Sequence, residues 1–158
     1  MSETGWPYVQ HRGGPAGFLK VLDAQTIGYA DFRGNVQYLS VGNLRSNDRI
    51  SLILMDCPNR RRLKIWGHAR IVHEAEAPDL IARLEVPTYR ARVERGVIID
   101  VDAYDWNCPQ HITPRYSKSE IERLLIPLTE ENKALKAQLA DRDPAPSATL
   151  GSGPQGST

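Results

Sequence analysis

The stretch ISLILMDCPNRRRLKIWGHARIVH, residues 50–73, decides the fold. It opens on the apolar run Ile50–Met55, which reads as a buried strand. Asp56-Cys57-Pro58-Asn59 follows, with Pro and Asn where turns favour them. From Leu63 to His73 the pattern alternates, with Leu63, Ile65, Gly67, Ala69 and Ile71 on one side. Strand, turn and alternating strand make an antiparallel hairpin.

Working outward, the flanks repeat this grammar. Gly17–Asp23 (GFLKVLD) is half apolar and half polar, and Thr26–Phe32 (TIGYADF) reads as its hairpin partner. Val97–Val101 (VIIDV) is a further strand, with Asp100 and Asp102 interrupting the apolar run. Val36–Ser46 carries a loose helical spacing at Val36, Leu39 and Leu44. Pro78–Leu84 is a short amphipathic helix, with Pro78 suited to a first turn. Hairpins, one inserted helix and a returning strand predict a mainly β fold with small α additions, a closed or split antiparallel barrel. Strands and helices do not alternate as in doubly wound folds. Neither GxGxxG nor GxxxxGK[ST] occurs, so the common nucleotide-binding loops are absent as motifs.

Composition narrows the function classes. The chain has 158 residues, 41% of them hydrophobic, and its 20 basic and 19 acidic side chains leave a net charge of +1. Near-neutrality argues against a nucleic-acid binder, which normally shows a basic excess or stripe. Cys57 and Cys108 lack the spacing of a disulfide framework or a metal site, which fits a reduced, cytoplasmic protein. The longest unbroken apolar run, Leu52–Met55, is far short of the ~20 residues of a membrane helix, so no membrane contact is expected. The N-terminus lacks the layout of a signal peptide.

Four segments carry the polar chemistry. In QHRGGPAGFLKV, residues 10–21, the Gly13-Gly14 pair lets backbone N–H groups approach an anion, and the Arg12 fork matches phosphate oxygens. Read blandly, it is a hairpin turn with two surface cations, Arg12 and Lys20. In ADFRGNVQ, residues 30–37, Arg33, Gly34 and Asn35 make a strand-to-helix turn. That turn is either an anion site or simply a turn with Asn35 as N-cap. In NRRRLK, residues 59–64, alternation sets Arg62 and Lys64 on the face opposite Leu63 and Ile65, where they can complete a phosphate pocket. Otherwise the run is a solvated hairpin tip. In DWNCPQHITPRY, residues 105–116, Cys108 and His111 offer a nucleophile pair, but nothing orients a base onto the thiol. His11, His68, Cys108 and His111 show no zinc spacing, so no metal site is expected.

These four segments in series resemble the pyridoxamine 5′-phosphate oxidase-like, FMN-binding split-barrel proteins. The resemblance spans roughly Gly5 to Tyr116. It implies a homodimer with FMN at the interface, working on a small-molecule substrate or electron donor. On this resemblance Arg12 and Lys20 match an Arg…Leu-Lys pair that contacts phosphate and flavin, at longer spacing here because of Gly-Gly-Pro. Tyr29 and Ala30 match the strand beneath the flavin. Arg33, Asn35 and Gln37 fall near a Ser-Arg-Lys phosphate motif whose Ser and Lys are not kept. Arg62 falls where the oxidase has a cofactor-reaching Gln. Trp106 and Gln110 lie on the segment placed over or beside the flavin, from the same or the partner subunit. That segment does not match the Arg-x-His substrate motif of true pyridoxamine phosphate oxidases, so the likeness is to the family and not to that enzyme. Set against the family, the first strand is expected to be absent ahead of Gly5-Trp6-Pro7, so that either the start is truncated or another segment covers the edge.

The resemblance implies an FMN-dependent oxidoreductase, in which the flavin carries the hydride or electron chemistry. No catalytic acid or base is assigned; His111 and Tyr116 qualify by residue type alone. Two rivals stand beside it. One is a non-catalytic FMN-binding or electron-relay protein, and the other is a cofactor-free interaction protein on the same barrel. Haem, held through His11, His68 or His111, is a minor alternative.

Domain boundaries follow. Residues 1–116 form the barrel, 117–140 a helical appendage and 141–158 a disordered tail rich in Pro, Gly, Ser and Thr. Ser117 and Glu120 form a capping box. Ile121, Leu124, Leu125 and Leu128 make an apolar stripe. Pro127 is expected to break or kink it, with Thr129–Asn132 recapping a second helix through Leu135 and Leu139. Too few heptads are present to claim a coiled coil, and a helix packed on the barrel or on its dimer mate is expected rather than a separate partner-binding module.

Overall fold

The computed structural model describes residues 2, 4–106 and 108–142. Its elements in order are β1 (Leu19–Val21), β2 (Thr26–Phe32), α1 (Leu39–Ser46), β3 (Arg49–Asp56), β4 (Arg61–Val72), α2 (Pro78–Leu84), β5 (Val93–Trp106) and α3 (Lys118–Arg142). The chain divides into two compact units, Met1–Pro114 and Arg115–Thr158.

The five strands form one antiparallel sheet in the order β1-β2-β5-β4-β3. Both expected hairpins are present, with Lys20 opposite Gly28 and Ile53 opposite Lys64. β5 joins them, its Val97 lying between Tyr29 and Ile71. On one face Ile27, Tyr29, Ile65, Ala69, Val97 and Ile99 form a buried cluster. Leu19 of β1 and Leu52 and Leu54 of β3 pack on the same cluster. Apolar side chains from both edge strands thus share one core, and the sheet is a barrel split between β1 and β3. On the other face Ala30, Val72 and Ile98 pack under Ile81 and Leu84 of α2. Among the described residues no strand precedes Leu19.

The structure corrects four expectations. β3 is not buried on both faces. Its residues alternate, and Ile53 and Met55 are exposed. It is an edge strand covered on one side, which an unbroken apolar run conceals. β5 is longer than Val97–Val101, because a bulge absorbs the interrupting aspartates. Trp66 faces Ala103 while Gly67 faces Val101, so Asp102 is the extra residue. Beyond it the parity flips, and Tyr104 and Trp106 stand opposite Ile65 and Leu63. A Cβ on Gly67 would fall on the Asp100 carbonyl oxygen, so the bulge requires glycine there.

Third, Asn35 does not cap α1. The helix starts at Leu39 with Tyr38 as N-cap and no side-chain cap. Asn35 Oδ1 instead accepts a hydrogen bond from the Gln37 N–H at 3.4 Å. Fourth, the appendage is one helix, not two. Pro127 sits inside it. Thr129 donates to the Leu125 carbonyl at 2.9 Å and Asn132 to that of Leu128 at 3.2 Å, so these side chains bond back along the helix rather than recap it. The expected capping box is present, with Glu120 accepting from the Ser117 N–H at 2.7 Å and its own N–H reaching Ser117 Oγ at 3.4 Å. Of the expected tail, residues 143–158 lie outside the described residues.

Candidate functional site

The polar centre of the barrel unit lies where β2 meets β5. Alternation along β2 puts Ile27, Tyr29 and Asp31 on the core face, and Asp31 is buried. A buried carboxylate needs partners. Arg12, from the segment before β1, brings Nη2 to 3.7 Å from Asp31 Oδ1. Arg95, opposite Asp31 in the sheet, brings Nε to 3.5 Å from Asp31 Oδ2. Arg95 also bonds Glu94 Oε2 at 2.6 Å, and Arg33 Nε lies 3.9 Å from Glu94 Oε1. Tyr38 donates its hydroxyl to Glu94 Oε1 at 3.0 Å, and the Arg95 guanidinium stacks 4.6 Å from its ring centre.

Three arginines therefore bracket two carboxylates, which leaves the cluster one positive charge in excess. Desolvation alone would raise the Glu94 carboxyl. Hydrogen bonds from Arg95 and Tyr38 and the charges of Arg95 and Arg33 outweigh it and hold the group below its usual range. Burial pushes the Tyr29 phenol above its ordinary value, and Arg12 beside it offsets only part of that rise.

Arg12, Tyr29 and Ala30 line one cavity of about 150 Å³, together with His11, Phe18 and Asp31. An open groove of about 730 Å³ adjoins it, lined by the His11–Pro15 segment, Phe18 and Tyr89. The segment packs closely here. A Cβ on Gly14 would come within 2.8 Å of Phe18 Cβ, so glycine is what lets the backbone lie on that ring. The enclosed part is well below the ~300–1,000 Å³ of pockets that engulf a ligand.

The other predicted site residues lie elsewhere. Lys20 is half-buried opposite Gly28 on the face that α2 covers, whereas Tyr29 faces the core. Arg33, Asn35 and Gln37 are exposed, and only Arg33 reaches the ion cluster. Arg62 stands opposite Met55 near the far end of β4, with its Nε buried and without a hydrogen-bond partner among the described residues. Lys64, on the same face, pairs with Asp105 at 2.8 Å and lies 5.4 Å from the Trp66 ring centre. Trp106 ends β5, and Gln110 is exposed beyond it. From Arg95, beside Asp31, to Asp105, beside Lys64, β5 runs roughly 33 Å at ~3.3 Å per residue. One chain thus holds two separate basic sites at opposite ends of its longest strand.

Sequence reasoning missed Asp31, Tyr38, Glu94 and Arg95. The last two sit in an ordinary charged run, RVERG, and only the β2–β5 register shows what they face. The alternation in ADF was the one available hint, since it puts a carboxylate on the core face.

A family model described as pyridoxamine 5′-phosphate oxidase matches residues 1–105. The chain belongs to this family. Its members typically bind flavin or a related cofactor. The match takes in Arg12, Asp31, Arg62 and Arg95 and ends just before Trp106. Among solved structures, HupZ of Group A Streptococcus is similar, at 18% identity over 65% of this chain and 78% of that one, with a TM-score of 0.47. A histidine-to-alanine variant of HupZ is similar at 19% identity over 60% and 76%, with a TM-score of 0.46. No curated protein matches the chain. Among the described residues no helix is long and apolar enough to cross a membrane, and no group of His, Cys, Asp or Glu is arranged to hold a metal ion.

Proposed function

We propose that this chain binds FMN at the interface of a homodimer and serves as a flavin-dependent oxidoreductase for a small-molecule substrate or electron donor. Arg62 carries the reading. Its Nε is a buried donor with no acceptor among the described residues. Such a group costs about 1–3 kcal/mol, and a ligand phosphate would relieve that cost. Arg62 and Arg12 stand at opposite ends of β5, so two-fold pairing of chains is what can bring a basic site of one copy against that of the other. Exposed Ile53, Met55 and Trp66 lie on the same sheet face as Arg62 and Lys64, a surface suited to a mate.

The residues fit an anionic, aromatic ligand. Arg12, Arg62 and Lys64 would hold the phosphate, and the cavity over Tyr29 and Phe18 would take apolar ring surface. Bound flavin supplies hydride or electron transfer. The chain supplies binding, orientation and exclusion of water.

The test is the absorbance spectrum of the purified protein, with any released cofactor identified by mass. Bands near ~370 and ~450 nm with the mass of FMN support the reading. A flat visible spectrum that added FMN does not change overturns it. Oxidation of reduced nicotinamide with an added electron acceptor then separates an oxidoreductase from a non-catalytic FMN-binding or electron-relay protein.

A further inference from the structure

α3 is the most exposed element of the chain. It contains no buried residue, and its large apolar side chains are all exposed. Five of them form one series with Asn132, and Leu124 and Ile126 lie outside it. Ile121, Leu125, Leu128, Asn132, Leu135 and Leu139 follow one another at steps of four, three, four, three and four. That is an unbroken 3.5-residue period, the repeat of a coiled-coil seam. With Leu125, Asn132 and Leu139 at the a positions, Ile121, Leu128 and Leu135 fall at d.

We infer that α3 pairs with α3 of a second copy as a parallel, in-register, two-stranded coiled coil. Three features select that occupant. The single polar seam residue, Asn132, occupies an a position. There an asparagine is satisfied by its own counterpart only when the helices run parallel and in register. Glu131 is then at g and Lys136 at e, so each Glu131 faces Lys136 of the mate. In an antiparallel pair g positions face g positions, and Glu131 would meet Glu131. Pro127 falls at the outward c position, away from the seam.

Outside the seam, exposed Leu124 falls at g and exposed Ile126 at b, while the polar positions agree with the pairing. Arg123, Glu130, Lys133 and Ala137 fall at b or f, where a two-stranded coil meets water. The pairing needs no cofactor and stands apart from the FMN reading. It also accounts for an apolar stripe that no part of α3 itself buries.

The test uses the full chain with Cys57→Ser and Cys108→Ser, adding one cysteine at a time, Ile121→Cys, Leu139→Cys or Lys133→Cys. Each variant is oxidised mildly and run on a non-reducing gel, and its thermal transition is compared with that of the parent. Parallel, in-register pairing cross-links positions 121 and 139 at least tenfold faster than position 133, because both ends of the seam meet their own copies. Cross-linking at 133 as fast as at 121 and 139 overturns the proposal, because no seam is then formed. Slow cross-linking at both 121 and 139 also overturns it, because the helices are then antiparallel or apart. A dimer joined only through the barrel gives that last result, so the two interfaces are told apart.

Discussion

At the scale of single residues, the arginine–carboxylate cluster is where this chain departs most from a plain barrel. Asp31 and Arg95 are each about one-tenth exposed, so neither carries its charge cheaply without the other. Arg95→Met leaves Asp31 and Glu94 short of their main partner, and we expect a loss on the order of 3 kcal/mol in urea denaturation. Arg33→Ala, at the exposed rim, should change stability by less than ~1 kcal/mol. The depressed Glu94 carboxyl fixes a pH dependence. When folded the group releases its proton more readily than when unfolded, so its contribution is complete above the ordinary glutamate value of 4.5. It is lost as pH falls through the depressed folded value. Thermal midpoints should therefore fall on acidification below about pH 4.5, and Glu94→Gln should flatten that limb. An acid limb as steep in the variant as in the parent would remove Glu94 from the account. Tyr29 works in the opposite direction and matters only in alkali, since a raised phenol favours the folded state until pH passes its ordinary value near 10. These residues were hard to read from sequence, because an ion cluster depends on register and Glu94-Arg95 looks like any solvated pair. Arg12 and Arg33 stood out through local signals, a glycine pair and a strand-to-helix turn, but as phosphate contacts and not as partners of Asp31 and Glu94.

At the scale of elements, periodicity carried most of the fold. Leu63, Ile65, Gly67, Ala69 and Ile71 lie on one face as the alternation predicts. α2 spans Pro78–Leu84 as the helical spacing and its leading proline predict. What periodicity could not show is burial from outside a segment. Ile50–Met55 looks buried on both faces and is half exposed, because only the sheet order reveals an edge. Likewise Asp102 reads as an interruption until the bulge gives it a place. Two substitutions test the elements. Leu84→Ala removes a fully buried side chain of α2 and should cost about 2–5 kcal/mol. Gly67→Ala puts a methyl group onto the Asp100 carbonyl and should cost a comparable amount, read from urea midpoints at unchanged slope. A neutral Gly67→Ala would mean that the bulge is not as described. In α3, Pro127 misled the sequence reading. Proline removes one helix hydrogen bond but does not forbid the turns on either side, and here the helix runs through it.

At the scale of the whole molecule, family membership and the separated basic sites lead to one picture. Among the described residues a single chain has a small enclosed cavity at Arg12 and, at the far end of β5, an arginine whose buried donor has no partner. On the proposed reading a second copy completes both. The most direct measurement is a titration of flavin fluorescence by cofactor-free protein, read beside the mass of the complex in solution. The account predicts quenching that saturates at about one FMN per chain in a dimer. It predicts at least tenfold weaker binding by Arg62→Ala, because a charged hydrogen bond contributes ~1.5–3 kcal/mol, with a thermal transition of the cofactor-free protein no lower than the parent's, because an unpartnered buried donor is removed. Unquenched flavin at protein concentrations where the chain is folded and dimeric would contradict it.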